Sequence, residues 1–146
     1  MFCALRSLFG SAKAIEICQQ IMRDTADALV LLLPDQQDLL CFADPFDALR
    51  AYFRAGPEAA RKAGAGEVIV SKDESDQFEF DVTACVWLDL ARLAGAPEAC
   101  IANCYADDLV FPKYFSEVGV DYARSGTLAQ GAKQCDFRFR RAASAA

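Results

Sequence analysis

The first third of the chain carries apolar side chains at helical spacing. Between Ser11, which can cap a helix, and Pro34, which can end one, the apolar positions fall near one stripe. Asp44 and Pro45 form a second helix start, because proline is favoured at the first helical position. The pattern predicts three helices here: residues 12–33, Pro45 to the Gly56–Pro57 break, and residues 57–63.

The second half of the chain mixes strand and helix patterns. Phe78, Phe80 and Val82 alternate with polar residues, which is typical of a strand with one buried face. The pattern predicts strands over residues 68–70, 78–82, 118–122 and 135–139, and helices from a Thr83 cap to about Ala94 and from Pro97 to Pro112. This order predicts an α+β fold, in which N-terminal helices pack on a small, mostly antiparallel sheet with two further helices.

Length and charge narrow the class of protein. A chain of 146 residues fits a single domain over residues 1–146, with a frayed tail at 142–146. The net charge of −6 argues against a nucleic-acid partner, because phosphate binding needs a basic face. No apolar run is long enough for a membrane span and no secretory signal is recognisable, so we expect a cytoplasmic protein without a membrane partner.

Residues 28–33 are apolar around the whole of the predicted helix and must therefore be buried. A central core helix explains this run within one domain. The alternative is a self-association interface that produces a homodimer, because large exposed apolar patches usually mark contacts.

The chain contains no histidine and seven cysteines. A Ser-His-Asp or Cys-His catalytic centre and a histidine-ligated metal site are therefore excluded. Proton transfer must use carboxylates, thiols, Lys, Tyr or substrate groups. The odd number of cysteines leaves at least one thiol unpaired within the chain, and we expect free thiols in a reducing compartment.

Three cysteines and one aspartate are the main candidates for chemistry. Cys85 lies at a predicted helix start, Cys104 lies within the next helix, and Cys135 is on the last strand. Asp107 lies one turn beyond Cys104, so thiol and carboxylate could act as nucleophile and acid–base group. Core packing is the simpler interpretation, since free cysteine is among the most buried residue types. A zinc site is a third interpretation, although the sequence lacks the closely spaced cysteine pairs that are typical of structural zinc sites.

Charged residues on the last predicted strand are candidates for substrate binding. Asp136 and Arg138 alternate with Cys135, which indicates a strand with a polar face and a buried face. A solvated polar face is the simpler interpretation. The same alternation turns Cys135 inward, where a pocket would be.

The segment before this strand offers further candidates. Arg124, close to Ser125 and Thr127, could bind a substrate carboxylate through two hydrogen bonds, or could be an exposed charge at a strand end. Gly131 is most simply a turn glycine. In the functional interpretation, the absence of a side chain at Gly131 lets the backbone approach a ligand closely.

These features follow one another in the order of a known family. The motifs are Cys85, the run Leu93-Ala94-Gly95-Ala96-Pro97-Glu98, the pair Cys104 and Asp107, the run Arg124-Ser125-Gly126-Thr127-Leu128-Ala129-Gln130-Gly131, and Cys135-Asp136-Phe137-Arg138. Over residues 78–140 the chain resembles the L-2-amino-thiazoline-4-carboxylic acid hydrolase family. Each motif alone is weak, and the ordered set is fairly specific. Trp87 departs from the family pattern at the helix start and would reshape the pocket.

The resemblance implies a hydrolase that opens a small cyclic C=N substrate of thiazoline or amidine type by acting on its carbon–nitrogen bonds. Cys104, Asp107 and Cys135 would be catalytic in one pocket. Cys104 is narrowly preferred as nucleophile, and a carboxylate that activates water is the other route. The substrate-binding residues would be Cys85, Arg124, Thr127, Gly131, Asp136 and Arg138. No cofactor is expected, although zinc is possible; the rival is a cysteine-rich sensory module that binds a ligand or zinc without catalysis.

Overall fold

A computed structural model of the protein describes residues 1–26, 28 and 33–143. Its helices are α1 (Phe2–Phe9), α2 (Ser11–Asp24), α3 (Gln36–Leu40), α4 (Pro45–Arg54), α5 (Gly56–Ala63), α6 (Val86–Leu93) and α7 (Ala99–Glu117), with a short 3-10 helix at Leu128–Gln130. Its strands are β1 (Gly66–Asp73), β2 (Gln77–Cys85), β3 (Val120–Ala123) and β4 (Cys135–Arg141). This arrangement confirms the predicted α+β class.

The strands form one antiparallel sheet in the order β1-β2-β4-β3. Residues that lie opposite each other on paired strands project to the same face. Val68 of β1 lies opposite Val82 of β2, which lies opposite Cys135 of β4. The next row on this face contains Phe80 opposite Phe137. One face of the sheet is therefore apolar, and a cysteine lies at the end of one of its rows.

Aromatic side chains fill the space between this face and the helices. The rings of Phe53 in α4 and Phe139 stack with centroids 4.8 Å apart, and Phe115 of α7 meets Phe139 edge-on at 5.0 Å. Such pairs contribute about 0.5–1.5 kcal/mol beyond the burial of their area. The core thus fixes α4 and α7 on one face of the sheet. Its fully buried side chains are Phe46, Leu49, Phe78, Tyr114, Phe115, Val120 and Phe139.

The first long helix is shorter than the pattern predicts. α1 precedes it, and Gly10, with φ +80°, turns the chain into α2. α2 ends at Asp24 rather than at residue 33, because Thr25, with φ −115° and ψ 11°, leaves the α-helical conformation. The prediction of one continuous helix over residues 12–33 is therefore wrong.

The apolar run at residues 28–33 falls mostly outside the described residues, which omit 27 and 29–32. Burial of this run and the homodimer alternative therefore stay predictions. The frayed tail also stays a prediction, because residues 144–146 lie outside the described residues as well. The pattern missed α3, which begins where the Asp35 side chain accepts the Gln37 N–H at 2.7 Å. Within the described ranges, no helix has both the length and the apolar character to cross a bilayer.

Strand β2 is longer than its alternation predicts. Thr83 lies inside the strand and does not cap a helix, because the chain continues to pair with β1 as far as Cys85. Ala84 lies opposite Glu67 in this extension. Helix α6 therefore begins at Val86, and Cys85 occupies the position just before its first turn.

Helix α7 passes through the proline that we expected to end it. Pro112 is exposed, and the helix continues to Glu117. Tyr114 and Phe115, in the turn beyond Pro112, are both buried and anchor that turn to the core. The longer helix moves the start of β3 from residue 118 to Val120.

Candidate functional site

Four thiols meet where the first turns of α7 approach the ends of β2 and β4. They are Cys85, Cys100, Cys104 and Cys135, called the thiol cluster below, and all are free. The Sγ atoms of Cys100 and Cys104 are 4.0 Å apart. Burial raises the pKa of Cys100, and the nearby thiols of Cys85 and Cys135 raise it further. The structure therefore brings three cysteines distant in sequence together and adds Cys100, which was not among the sequence candidates.

Burial favours the protonated form of Cys100, Cys104 and Cys135 by raising the pKa of each. It raises the pKa of Cys104 to about 12; the thiols of Cys100 and Cys135 add to the rise and Arg124 opposes it. Burial also raises the pKa of Cys135, but there the Leu128 N–H, which donates to the sulfur at 3.2 Å, acts in the opposite direction. Cys135 therefore has a hydrogen bond that supports its thiolate.

The turn before β4 positions the N–H group that reaches Cys135. The Thr127 side chain is buried, donates to Gln130 Oε1 at 3.0 Å and accepts the Gln130 N–H at 3.3 Å. Gly131 ends this turn at φ +88°, a conformation that glycine adopts without steric cost. Thr127 and Gly131 thus shape the backbone beside Cys135, while Gly131 itself is exposed.

Arg124 links the end of β3 to α7. Its side chain is only 2% exposed, and its guanidinium donates to Asp107, to Asp108 and to the Cys104 carbonyl, each at 2.7 Å. The guanidinium carbon also lies 5.2 Å from the centroid of the Phe137 ring. The Arg124 guanidinium is thus already paired within the protein. Its binding of a substrate carboxylate, one of the two interpretations from sequence, stays a prediction.

Asp107 is the acidic member of the site. Partial burial raises the pKa of its carboxyl, and the Arg124 guanidinium offsets part of the rise. The side chain is still 34% exposed, so water can reach the carboxyl. The charge of Asp107 also acts on Cys135, where, after burial, it contributes to the raised pKa of the thiol. Thiol and carboxyl are therefore electrostatically coupled.

Tyr122 is a candidate that the sequence analysis missed. Its hydroxyl is buried, and the part of the chain that the structure describes gives it no hydrogen-bond partner. Burial raises the pKa of this phenol above its ordinary value, with Arg124 opposing and Asp107 adding to the rise. Buried polar groups usually have a partner, so this hydroxyl has capacity for water or substrate. The only signal in the sequence was the alternation that turns residue 122 inward on its strand.

Asp136 lies on the face of β4 opposite Cys135. One carboxylate oxygen accepts the N–H groups of Ser125 and Gly126 at 3.0 and 2.8 Å, and the other accepts the Ser125 hydroxyl at 2.6 Å. Burial acts to raise the pKa of Asp136, but these hydrogen bonds outweigh it and the net shift is downward. Asp136 therefore holds the loop after β3, and substrate binding by it stays a prediction.

Arg138 shares the face of Asp136 and not that of Cys135. It forms ion pairs across the sheet with Asp81 at 2.6 Å and Glu79 at 3.3 Å. The structure thus places it on the other side of the sheet from the thiol cluster, and its substrate role stays a prediction.

A metal centre would need several ligands around one point. In residues 1–26, 28 and 33–143, no group of three or more Cys, Asp or Glu side chains is arranged to hold a metal ion. The sensory module that would bind zinc therefore has no ligand set in this part of the chain.

Comparison with known proteins assigns a family. No curated protein gives a significant match to the chain. The family model for L-2-amino-thiazoline-4-carboxylic acid hydrolase matches residues 1–139 of the 146. This match confirms the resemblance seen in the second half and extends it to the N-terminal helices. The match includes both the N-terminal helices and the thiol cluster. The chain therefore belongs to the L-2-amino-thiazoline-4-carboxylic acid hydrolase family.

Proposed function

We propose that this protein is a hydrolase that opens a small cyclic C=N substrate of the 2-aminothiazoline type at the thiol cluster. The observation that carries the proposal is the convergence of Cys104 and Cys135 with the Asp107–Arg124 ion pair. The chain belongs to a family named for a hydrolase, which supports a hydrolytic reaction. The thiol, carboxyl and phenol groups of the site can transfer protons, so this reaction needs no histidine.

Hydrolysis of such a ring has a simple balance of atoms. Water adds to the carbon between the ring nitrogen and the ring sulfur, the C=N bond becomes a single bond, and the carbon–sulfur bond then breaks. One proton of the water ends on the ring nitrogen and the other on the leaving sulfur, so the product carries a urea group and a free thiol. The site must therefore take a proton from the nucleophile and return one to the leaving sulfur.

The thiols differ in the part that they can take. With a pKa of about 12, only about one Cys104 in 10⁵ is a thiolate at pH 7. Cys104 is therefore a poor nucleophile, and a thiol so weakly acidic is also a poor proton donor to a leaving thiolate, whose ordinary pKa is about 8.5. Cys135, with the Leu128 N–H on its sulfur, is better placed as the nucleophile, which reverses the order that we preferred from sequence.

Asp107 provides the second route, in which its carboxylate activates water directly. A carboxyl of raised pKa is a better base than an ordinary one, and its exposed part lets water approach. Arg124 holds this carboxylate in place, and the buried Tyr122 hydroxyl can donate to the substrate.

Activity of single-site variants on 2-amino-thiazoline-4-carboxylic acid separates the two routes, with release of a free thiol as the readout. We expect Cys135→Ser to lower kcat by at least about 100-fold if the thiolate attacks, and Asp107→Asn to do so if water attacks. Cys41→Ser is the control, because Cys41 is an exposed cysteine outside the thiol cluster.

The pH profile adds a second measurement. If Asp107 is the base, kcat/KM rises with pH through an apparent pKa above the ordinary aspartate value of about 4, and this limb disappears in Asp107→Asn. Full activity in Cys104→Ser, Cys135→Ser and Asp107→Asn would refute the proposal.

A further inference from the structure

An apolar cleft opens on the same sheet face as Cys135. It measures about 420 Å³ and lies between the junction of α4 with α5 and the first two strands. No charged side chain is among its lining residues, which include Tyr52, Phe53, Gly56, Ala59, Val68 and Phe80. Gly56 and Ala59 leave its helical wall without bulky side chains, so the cleft stays open.

The sheet register connects this cleft to the thiol cluster. Val68, in the wall of the cleft, lies opposite Val82, and Val82 lies opposite Cys135. Neighbouring strands are about 4.8 Å apart, so two steps place the cleft wall about 10 Å from Cys135. Val82 and Phe80 face the helices and yet are only partly buried. The helices among the described residues therefore leave the sheet surface between the cleft and the thiols partly uncovered.

Building on the proposed function, we propose that this cleft binds an apolar substituent, alkyl or aryl, on the ring that is opened at the thiol cluster. A charged substituent would find no partner on these walls, whereas an aromatic or aliphatic one would bury apolar surface. A closed apolar cavity of roughly 150 Å³ is already large enough for benzene, so the cleft has room for a phenyl group. The substrate is then a thiazoline extended by an apolar arm.

Binding of two probes that differ only in this arm tests the inference. The probes are 2-amino-2-thiazoline and 2-amino-4-phenyl-2-thiazoline, with affinity measured by calorimetry and ring opening followed separately. We expect the phenyl probe to bind at least about tenfold more tightly than the bare ring. Ala59→Phe fills the cleft and should remove this gain. Ala63→Phe is the matched control, on the exposed end of the same helix and outside the cleft lining.

The outcomes separate the cleft from the chemistry. A gain that is lost in Ala59→Phe and kept in Ala63→Phe supports the apolar subsite, even if neither ring is opened, in which case the hydrolase proposal alone fails. Equal affinities for the two probes, or an unchanged phenyl affinity in Ala59→Phe, would overturn the subsite.

Discussion

The carboxylate of Asp136 fastens the loop after β3 to strand β4. Its two oxygens accept three hydrogen bonds from Ser125 and Gly126, the residues that follow Arg124. The ionised carboxylate accepts all three, whereas protonation would turn one of its oxygens into a hydrogen-bond donor and weaken the set. The position of Arg124 therefore depends, through this loop, on the charge of a residue on the other face of the sheet.

Asp136 predicts a pH dependence of stability. Its pKa is lowered in the folded protein, because the hydrogen bonds from Ser125 and Gly126 outweigh the opposing effect of burial. Its contribution to the free energy of unfolding is therefore complete above about pH 4, the unfolded value, and is lost as the pH falls through the folded value. We expect Asp136→Asn to lower stability at pH 7 and to flatten its decline in acid, measured by urea unfolding across pH 2–7.

Asp121→Asn is the matched control for this experiment, because Asp121 is an exposed carboxyl on the neighbouring strand β3. An acid decline of unchanged slope in Asp136→Asn would show that the loop does not depend on this carboxylate.

Helix α7 carries both the core and the candidate site. Its first half contributes Cys100, Cys104 and Asp107, and its last turns bury Tyr114 and Phe115. A proline within it removes one helical hydrogen bond, the one that the Asp108 carbonyl would receive. The helix persists because the aromatic side chains beyond the proline are anchored in the core.

Replacement of Pro112 should therefore stabilise the protein. The side chain is exposed, so Pro112→Ala loses little packing and restores the donor to the Asp108 carbonyl. We expect the free energy of unfolding to rise by about 1–3 kcal/mol, with the same denaturant dependence. The control is Lys113→Ala, a neighbouring exposed helical position, which should change stability by less than about 0.5 kcal/mol. A less stable Pro112→Ala would mean that the proline itself shapes the helix.

Local signals explain why parts of this fold were readable from sequence. Asp44 does cap α4, accepting the Phe46 N–H at 3.0 Å, and the alternation of apolar residues around Phe137 did mark a strand. Both signals need only a few neighbouring residues. The continuation of α7 through Pro112 depends on the burial of Tyr114 and Phe115 in the core, and a local pattern cannot contain that information.

The candidate site depends even more on contacts between residues that are distant in sequence. The convergence of the cysteines was inferred from an ordered set of motifs, whereas the three contacts of Arg124 and the unpartnered hydroxyl of Tyr122 depend on how β3 meets α7. The side of the sheet that Arg138 occupies followed from the alternation on β4. Its pairing with Asp81 needed the register between two strands.

Long-range polar contacts join distant parts of the whole molecule. Arg6 of α1 donates to the Gly95 carbonyl and pairs with Glu98 at 3.0 Å, before α7 begins. At the other end of the chain, Arg141 pairs with Asp44 at 2.7 Å, at the start of α4. The N-terminal helices are therefore joined both to the segment before α7 and to strand β4 of the sheet.

We expect the protein to unfold as one cooperative unit, as the single domain predicted from its length requires. Far-UV circular dichroism reports the helices, and fluorescence of Trp87, the only tryptophan, reports the end of β2 and α6. The two thermal transitions should coincide within about 1–2 °C, and the calorimetric and van't Hoff enthalpies should agree. Two separate transitions would show that the N-terminal helices form a unit of their own.

The bond from Arg124 to the carbonyl of Cys104 connects a buried cation to the main chain of one member of the thiol cluster. This hydrogen bond connects the backbone of Cys104, in α7, to the residue that follows the end of strand β3. A displacement of this peptide along the helix axis must therefore move α7 and β3 together or break the bond, which fixes the backbone of Cys104 relative to the sheet.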